Sequence, residues 1–165
     1  MAVADLIGAA VGVLLLVIVA YILVGSTIST AEIVTNAQKT ATLQEQTQLR
    51  TDFTITGANF EYNNATSSSN ITCTIENTGK EIISDFTHMD VIVYDNSSYT
   101  YQLCTYSSNA GVPGTWRIIN YGKDIIHYAE LDPGGSYTIE VMTSGPSPSW
   151  FQITAGDGVY ASQLL

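Results

Sequence analysis

The run LIGAAVGVLLLVIVAYILV, Leu6 to Val24, decides how the rest of this chain is read. Its nineteen residues contain no charge and no proline, and only Gly8 and Gly12 interrupt the apolar character. As a helix rising about 1.5 Å per residue it spans roughly 28 Å, the thickness of a bilayer hydrocarbon core. Beyond it, Ile28 to Arg50 has no Gly or Pro and is rich in Ala, Gln, Glu, Thr and Leu. Joined, the two stretches make one helix about 65–70 Å long, more than a membrane requires. In the polar half, Ile28, Ala31, Val34, Ala37, Ala41 and Leu49 recur at short steps and predict a narrow apolar stripe on a polar rod. Gly8-xxx-Gly12 is a small-xxx-small pattern that lets helix backbones approach closely.

No Lys or Arg precedes the run, so the expectation is an uncleaved anchor or a mature chain whose leader has gone. The helix has two cations, Lys39 and Arg50, both C-terminal to the run. Counted alone they would place residues 51–165 in the cytoplasm, but two cysteines and three sequons in that domain outweigh so small a count.

At Thr51 the composition turns to β-branched and aromatic alternation. Ile71, Cys73 and Ile75 alternate with Thr72 and Thr74; Tyr137, Ile139 and Val141 alternate with Thr138 and Glu140; Phe151 and Ile153 continue the style. Val91-Ile92-Val93-Tyr94 is apolar throughout, as in a strand covered on both faces. Turns are marked by Asn77-Thr78-Gly79-Lys80, Asp95-Asn96, Pro113-Gly114, Asp132-Pro133-Gly134-Gly135 and Asp157-Gly158. The chain is therefore α+β: a hydrophobic then amphipathic helix over 1–50, and an immunoglobulin-like antiparallel β-sandwich of about seven to nine strands over 51–165. Trp116 or Trp150 is expected in its core.

Charge is uneven. Residues 1–50 hold three acids against two bases, whereas 51–165 hold twelve against Lys80, Arg117 and Lys123. So acidic a domain excludes a nucleic-acid partner, which would need a basic patch. It suits a soluble extracellular face. Cys73 and Cys104 read as one disulfide in an oxidising compartment, or as two buried thiols. Three sequons, at Asn64, Asn70 and Asn96, are candidates for N-linked glycans. No phosphate loop, metalloprotease helix or nucleophile elbow occurs, and no other cofactor or metal is expected. His88, near Asp85 and Asp90, and His127 are expected to be surface or strand-end residues rather than general bases. The reading is not an enzyme.

Several segments together resemble the archaeal type IV pilin superfamily, in particular the archaellins and the FlaF/FlaG group of archaellum proteins. They are the apolar start Leu6 to Val24, Asn36-Ala37-Gln38-Lys39, Leu49-Arg50-Thr51-Asp52, Ile75-Glu76-Asn77-Thr78-Gly79-Lys80, Leu131-Asp132-Pro133-Gly134-Gly135-Ser136 and Gly156-Asp157-Gly158-Val159. The resemblance implies a subunit of an extracellular surface filament, archaellum or pilus, serving motility or adhesion. Its helix would wait in the membrane and then pack against copies of itself through Asp5, Gly8, Gly12, Leu15, Val19, Ile22 and Ile28. The alternative it implies is a membrane-anchored accessory or stator protein that binds the surface-layer protein. Asp5 departs from the glutamate common in bacterial pilins at mature position five; at a processed terminus it would pair with the Met1 ammonium of a neighbour.

Overall fold

The computed structural model describes residues 2–109, 111–122 and 126–165, with the side chains of Ala2 and Asp5 outside that description. The chain divides into two compact units, Met1–Gln44 and Glu45–Leu165. The first is helical throughout its described length. One helix, α1 (Ala2–Arg50), runs through it and ends in the second unit.

The way α1 stops explains the boundary between helix and strand. Thr51 closes the last turn, its backbone N–H and its hydroxyl both donating to the Thr47 carbonyl at 2.9 and 3.0 Å. The Arg50 carbonyl then accepts from the Lys80 N–H at 2.8 Å, and the Asp52 carbonyl from the N–H groups of Thr78 and Gly79 at 3.0 and 2.9 Å. The Arg50 carbonyl, an orphan acceptor of the helix end, is thus satisfied by the Asn77–Lys80 turn. Asn77, fully buried, holds that turn: its amide donates to the carbonyls of Glu81 and Leu131, each at 2.8 Å, and its Oδ1 accepts from the Gly79 N–H at 3.0 Å. Gly79 is required by space. A Cβ there would lie 2.4 Å from the Asp52 nitrogen and 2.6 Å from the Arg50 oxygen.

Eight strands complete the chain: β1 (Phe53–Asn63), β2 (Ser68–Asn77), β3 (Asp90–Asp95), β4 (Thr100–Tyr106), β5 (Thr115–Asn120), β6 (Ser136–Ser144), β7 (Pro148–Thr154) and β8 (Tyr160–Leu164). Their order is β1-β2-β6-β5-β4-β3-β7-β8. Pairing is antiparallel within β1-β2-β6-β5 and within β4-β3-β7-β8. A short parallel seam, Thr105 opposite Thr115 and Tyr106 opposite Trp116, joins the two halves and departs from the all-antiparallel expectation. At the far edges β1 comes alongside β8, so the sandwich is nearly closed. Ile71, Ile75, Ile139 and Val141 from one half meet Val91, Val93, Phe151 and Ile153 from the other in a single core. Each pair shares one face of its strand, as the pleat demands.

Two expectations are sharpened. Trp116, 1 % exposed, is the core tryptophan, its Nε1 donating to the Met89 carbonyl at 3.2 Å. Trp150 lies half-buried. β3 is not covered on both faces: Val91 and Val93 are buried, whereas Ile92 and Tyr94 point outward and are only half-buried. Tyr94 instead packs on Tyr101, ring centres 4.8 Å apart, and Tyr101 meets Trp150 edge-on at 6.3 Å. An aromatic patch covers this part of the face, which is why the sequence of β3 carries no alternation.

Candidate functional site

The largest unsatisfied surface is α1 itself. Fourteen large apolar side chains between Leu6 and Val24 stand exposed, from Ile18 at 46 % to Tyr21 at 81 %. Burying each contributes roughly 1.5–3 kcal/mol, so leaving them all in water would cost about 20–40 kcal/mol, more than the stability of an ordinary domain. Among the described residues this helix is the one element long and apolar enough to cross a membrane. Such a surface calls for a cover of lipid or protein.

The arrangement of the expected packing residues is set by the 100° that each helical residue turns. Gly8, Gly12, Leu15, Val19 and Ile22 fall within about 40° of one line, and a Cβ added at either glycine would meet nothing within 4 Å. Asp5 lies in the helix, but its side chain is outside the described residues. Ile28 does not share the line: it falls about 160° away on the opposite face. The expected narrow stripe is also corrected. Steps of three drift by about 60° each, so Ile28, Ala31, Val34 and Ala37 wind through half a turn of the circumference. Ile28, Ile33 and Val34 lie about 100–140° apart and are 55 %, 69 % and 48 % exposed, which places a branched aliphatic group on three sides of the rod.

The polar groups between them make few outward demands. The hydroxyls of Thr27, Thr30, Thr35, Thr40 and Thr42 each donate to the carbonyl four residues back, at 2.8–3.0 Å. With the donor used internally, each threonine can present its methyl to a neighbour without stranding a buried O–H.

In the β-unit the three sequons separate. Asn64 and Asn96 sit in exposed turns. Asn70 lies mid-strand on β2, and its amide nitrogen donates to Glu140 Oε1 at 2.7 Å; Glu140 also accepts from Arg117 Nε at 2.5 Å. The nitrogen a glycan would occupy is engaged there, and Asn70 Oδ1 is buried without a partner. Cys73 and Cys104 are free thiols, both buried, so the structure does not form the expected disulfide. They stand on β2 and β4, with β6 and β5 between them in strand order, and Cys104 Sγ points at the Met142 carbonyl 3.8 Å away. Burial pushes both thiols up to about 12, which keeps them protonated and poor nucleophiles.

Each histidine meets one carboxylate. His88 Nδ1 is 2.6 Å from Asp85 Oδ2, where the Thr87 hydroxyl and then His88 lower the carboxyl below its ordinary range. His127 Nδ1 is 2.8 Å from Asp132 Oδ1, and hydrogen bonds from His127 and Ile126 lower that carboxyl also. Neither pair adjoins a third ligand: among the described residues no cluster of three His, Cys, Asp or Glu side chains could hold a metal. Asp95 is the anchor that sequence reading passed over as a turn residue. Its Oδ1 accepts from the N–H groups of Ser97 and Ser98 at 2.8 and 2.9 Å, and its Oδ2 from the Ser147 N–H at 3.0 Å. Burial alone would raise this carboxyl; the bonds from Ser97, Ser147 and Ser98 outweigh it and hold it at about 2. The Asp-x-Ser-Ser spacing of an Asx turn was the available signal.

A family model described as archaeal-type flagellin matches residues 5–159. Among solved structures the chain is similar to the archaellum periplasmic stator protein FlaG from Sulfolobus acidocaldarius, at 20% identity and a TM-score of 0.50, covering 70% of this chain and 99% of that one. It is also similar to the archaellum periplasmic stator protein complex FlaF and FlaG from the same organism, at 19% identity and a TM-score of 0.47, covering 68% of this chain and 87% of that one. At the first of these identities the likeness concerns the fold. No curated protein sequence matches the chain.

Proposed function

This chain belongs to the archaeal-type flagellin family, and on that premise we propose that it is the structural subunit of an extracellular archaellum-type filament, polymerising through α1. The observation that carries the reading is the distribution of apolar groups on residues 28–43. A helix that only anchors a domain beside one partner needs a single stripe there. Aliphatic groups on three sides, interleaved with self-satisfied threonines, suit a rod covered by neighbours all round.

Before assembly Leu6 to Val24 resides in the membrane. Leaving lipid for a bundle of identical helices changes its solvent little, since hydrocarbon tails are as apolar as leucine. The net drive therefore comes from packing at Gly8 and Gly12, from the 28–43 rod, which gains burial only on assembly, and from contacts between β-units. A head-to-tail contact that repeats without closing yields a helical filament. The subunit is structural rather than catalytic. Any N-linked glycans are carried at Asn64 and Asn96, whose amides are exposed, in preference to Asn70.

The test is to shear surface filaments from cells and identify their main protein by mass spectrometry, with membranes probed in parallel. This chain is expected as the major filament component. Its absence from purified filaments together with retention in membranes would overturn the reading in favour of an anchored accessory or stator protein.

A further inference from the structure

Between Leu6 and Gln44 the helix carries only two ionisable charges, Glu32 and Lys39. Both are exposed, and among the described residues neither makes an ion pair within the chain. They are seven residues apart, which places them about 10.5 Å apart along the axis and within about 20° of one face. That exceeds the three- and four-residue spacings at which side chains on one helix meet. If α1 packs among copies of itself, each charge loses water, and a charge removed from water without a partner is among the most destabilising features a core can hold. In a bundle made of one kind of helix, the opposite charge at that depth belongs to another copy.

We propose that Glu32 of one copy pairs with Lys39 of an adjacent parallel copy displaced along the filament by about two helical turns, and that this pair sets the axial register of the helix bundle. The inference rests on the filament reading. All helices run the same way, because each enters from the membrane by the same end. Two charges on one face can then meet between copies only where that face turns toward the bundle interior. There Glu32 sits in a shallow groove with Ile28, Ala31, Thr35 and Asn36. The Thr35 hydroxyl is already given to the Ala31 carbonyl, which leaves the carboxylate open to an incoming ammonium. The four-carbon stem of Lys39 spans the usual 8–10 Å between packed helix axes. Register is selected in both directions. At zero displacement Glu32 would face Glu32 and Lys39 would face Lys39; at two turns every interior charge is neutralised, copy after copy.

The experiment expresses the full chain with E32K, K39E or both and measures filament yield by electron microscopy and sedimentation, with membrane-fraction level as the control for insertion. Each single reversal is expected to lower filament yield at least tenfold while membrane levels hold. The double reversal, which exchanges the signs but keeps the pairing distance, is expected to restore most of it. Single reversals that assemble like the wild type would overturn the proposal by showing that this face stays solvated. A double variant as defective as the singles would overturn it by showing that the charges answer to a different protein. A wild-type chain confined to membranes would instead refute the filament reading itself.

Discussion

The two units solve the burial of apolar residues in opposite ways. In Glu45–Leu165 the strands β2, β3, β6 and β7 hide alternate residues, with Ile71, Ile75, Val91, Val93, Ile139, Val141 and Phe151 all at 0 % exposure. In Met1–Gln44 every residue with a described side chain is exposed. One unit is a finished object; the other is half of an interface. The difference is written in periodicity: period-two alternation supplies a strand with an inside and an outside, whereas an apolar helix with no polar face can be completed only by something beyond itself.

The hardest way to break this comparison is to separate the units. A chain beginning at Glu45 keeps the Asn77–Lys80 clamp, the core and both halves of the sandwich, so it is expected to be a soluble monomer with one cooperative thermal transition and no capacity to form filaments. A fragment that unfolds without a transition would show that the helix is part of the domain's own core. Next in size comes Gly79→Ala. The added carbon would press on the Asp52 nitrogen and the Arg50 oxygen, both backbone atoms with little room to yield. We expect a loss of about 2–4 kcal/mol in urea unfolding, since overpacking and broken hydrogen bonds act together. The deficit belongs to the β-unit, because the last helical turn is built into it.

Acid addresses the same unit more gently. Asp95 is buried, and its carboxyl is held at about 2 by donors from Ser97, Ser147 and Ser98. A carboxyl whose folded value lies below its unfolded value near 3.9 contributes its stability in full above that value and loses it as pH falls through 2. The contribution is about 2.5 kcal/mol, by the usual conversion of roughly 1.4 kcal/mol per pH unit. Thermal scans from pH 5 to pH 2 are expected to show a progressive fall that is shallower in Asp95→Asn, which should also start from a lower melting point at pH 5. Equal slopes in the two proteins would remove Asp95 from the account.

The sandwich was legible where one face was dry and the other wet. Ile71-Cys73-Ile75 and Tyr137-Ile139-Val141 declared their inward faces directly, and the Asn-x-Gly turn was visible without any hint that it clasps Arg50 and Asp52. Legibility failed where the outer face is itself apolar: Ile92 and Tyr94 hid the alternation of β3, Tyr94 lying opposite Tyr101 and Trp150 and Ile92 opposite Leu103. It failed in a different way on the helix. Ile28, Ala31, Val34 and Ala37 look like a stripe when only their spacing is counted, yet a step of three falls short of the 3.6-residue turn and the set winds round the rod. Sequence spacing also could not rank Asn64, Asn70 and Asn96, because the partner that engages Asn70 is Glu140, seventy positions away.

The smallest expected effect sharpens the contrast most finely. Thr35→Val replaces a hydroxyl with a methyl of nearly the same shape and deletes the bond to the Ala31 carbonyl at 2.8 Å. In the β-unit such a change at the buried Thr143 would delete a bond between strands, the one it donates to Gln102 Oε1 at 2.5 Å. On α1 the Ala31 carbonyl keeps its ordinary acceptor role in the helical ladder, so nothing is stranded. Back-bonded hydroxyls contribute little to helix stability, and filament stability against heat or denaturant should shift by less than about 0.5 kcal/mol in either direction. A large loss of filaments from this one change would mean that the hydroxyl bonds to a neighbouring copy. The rod would then assemble by polar recognition rather than by the apolar packing that its surface otherwise presents.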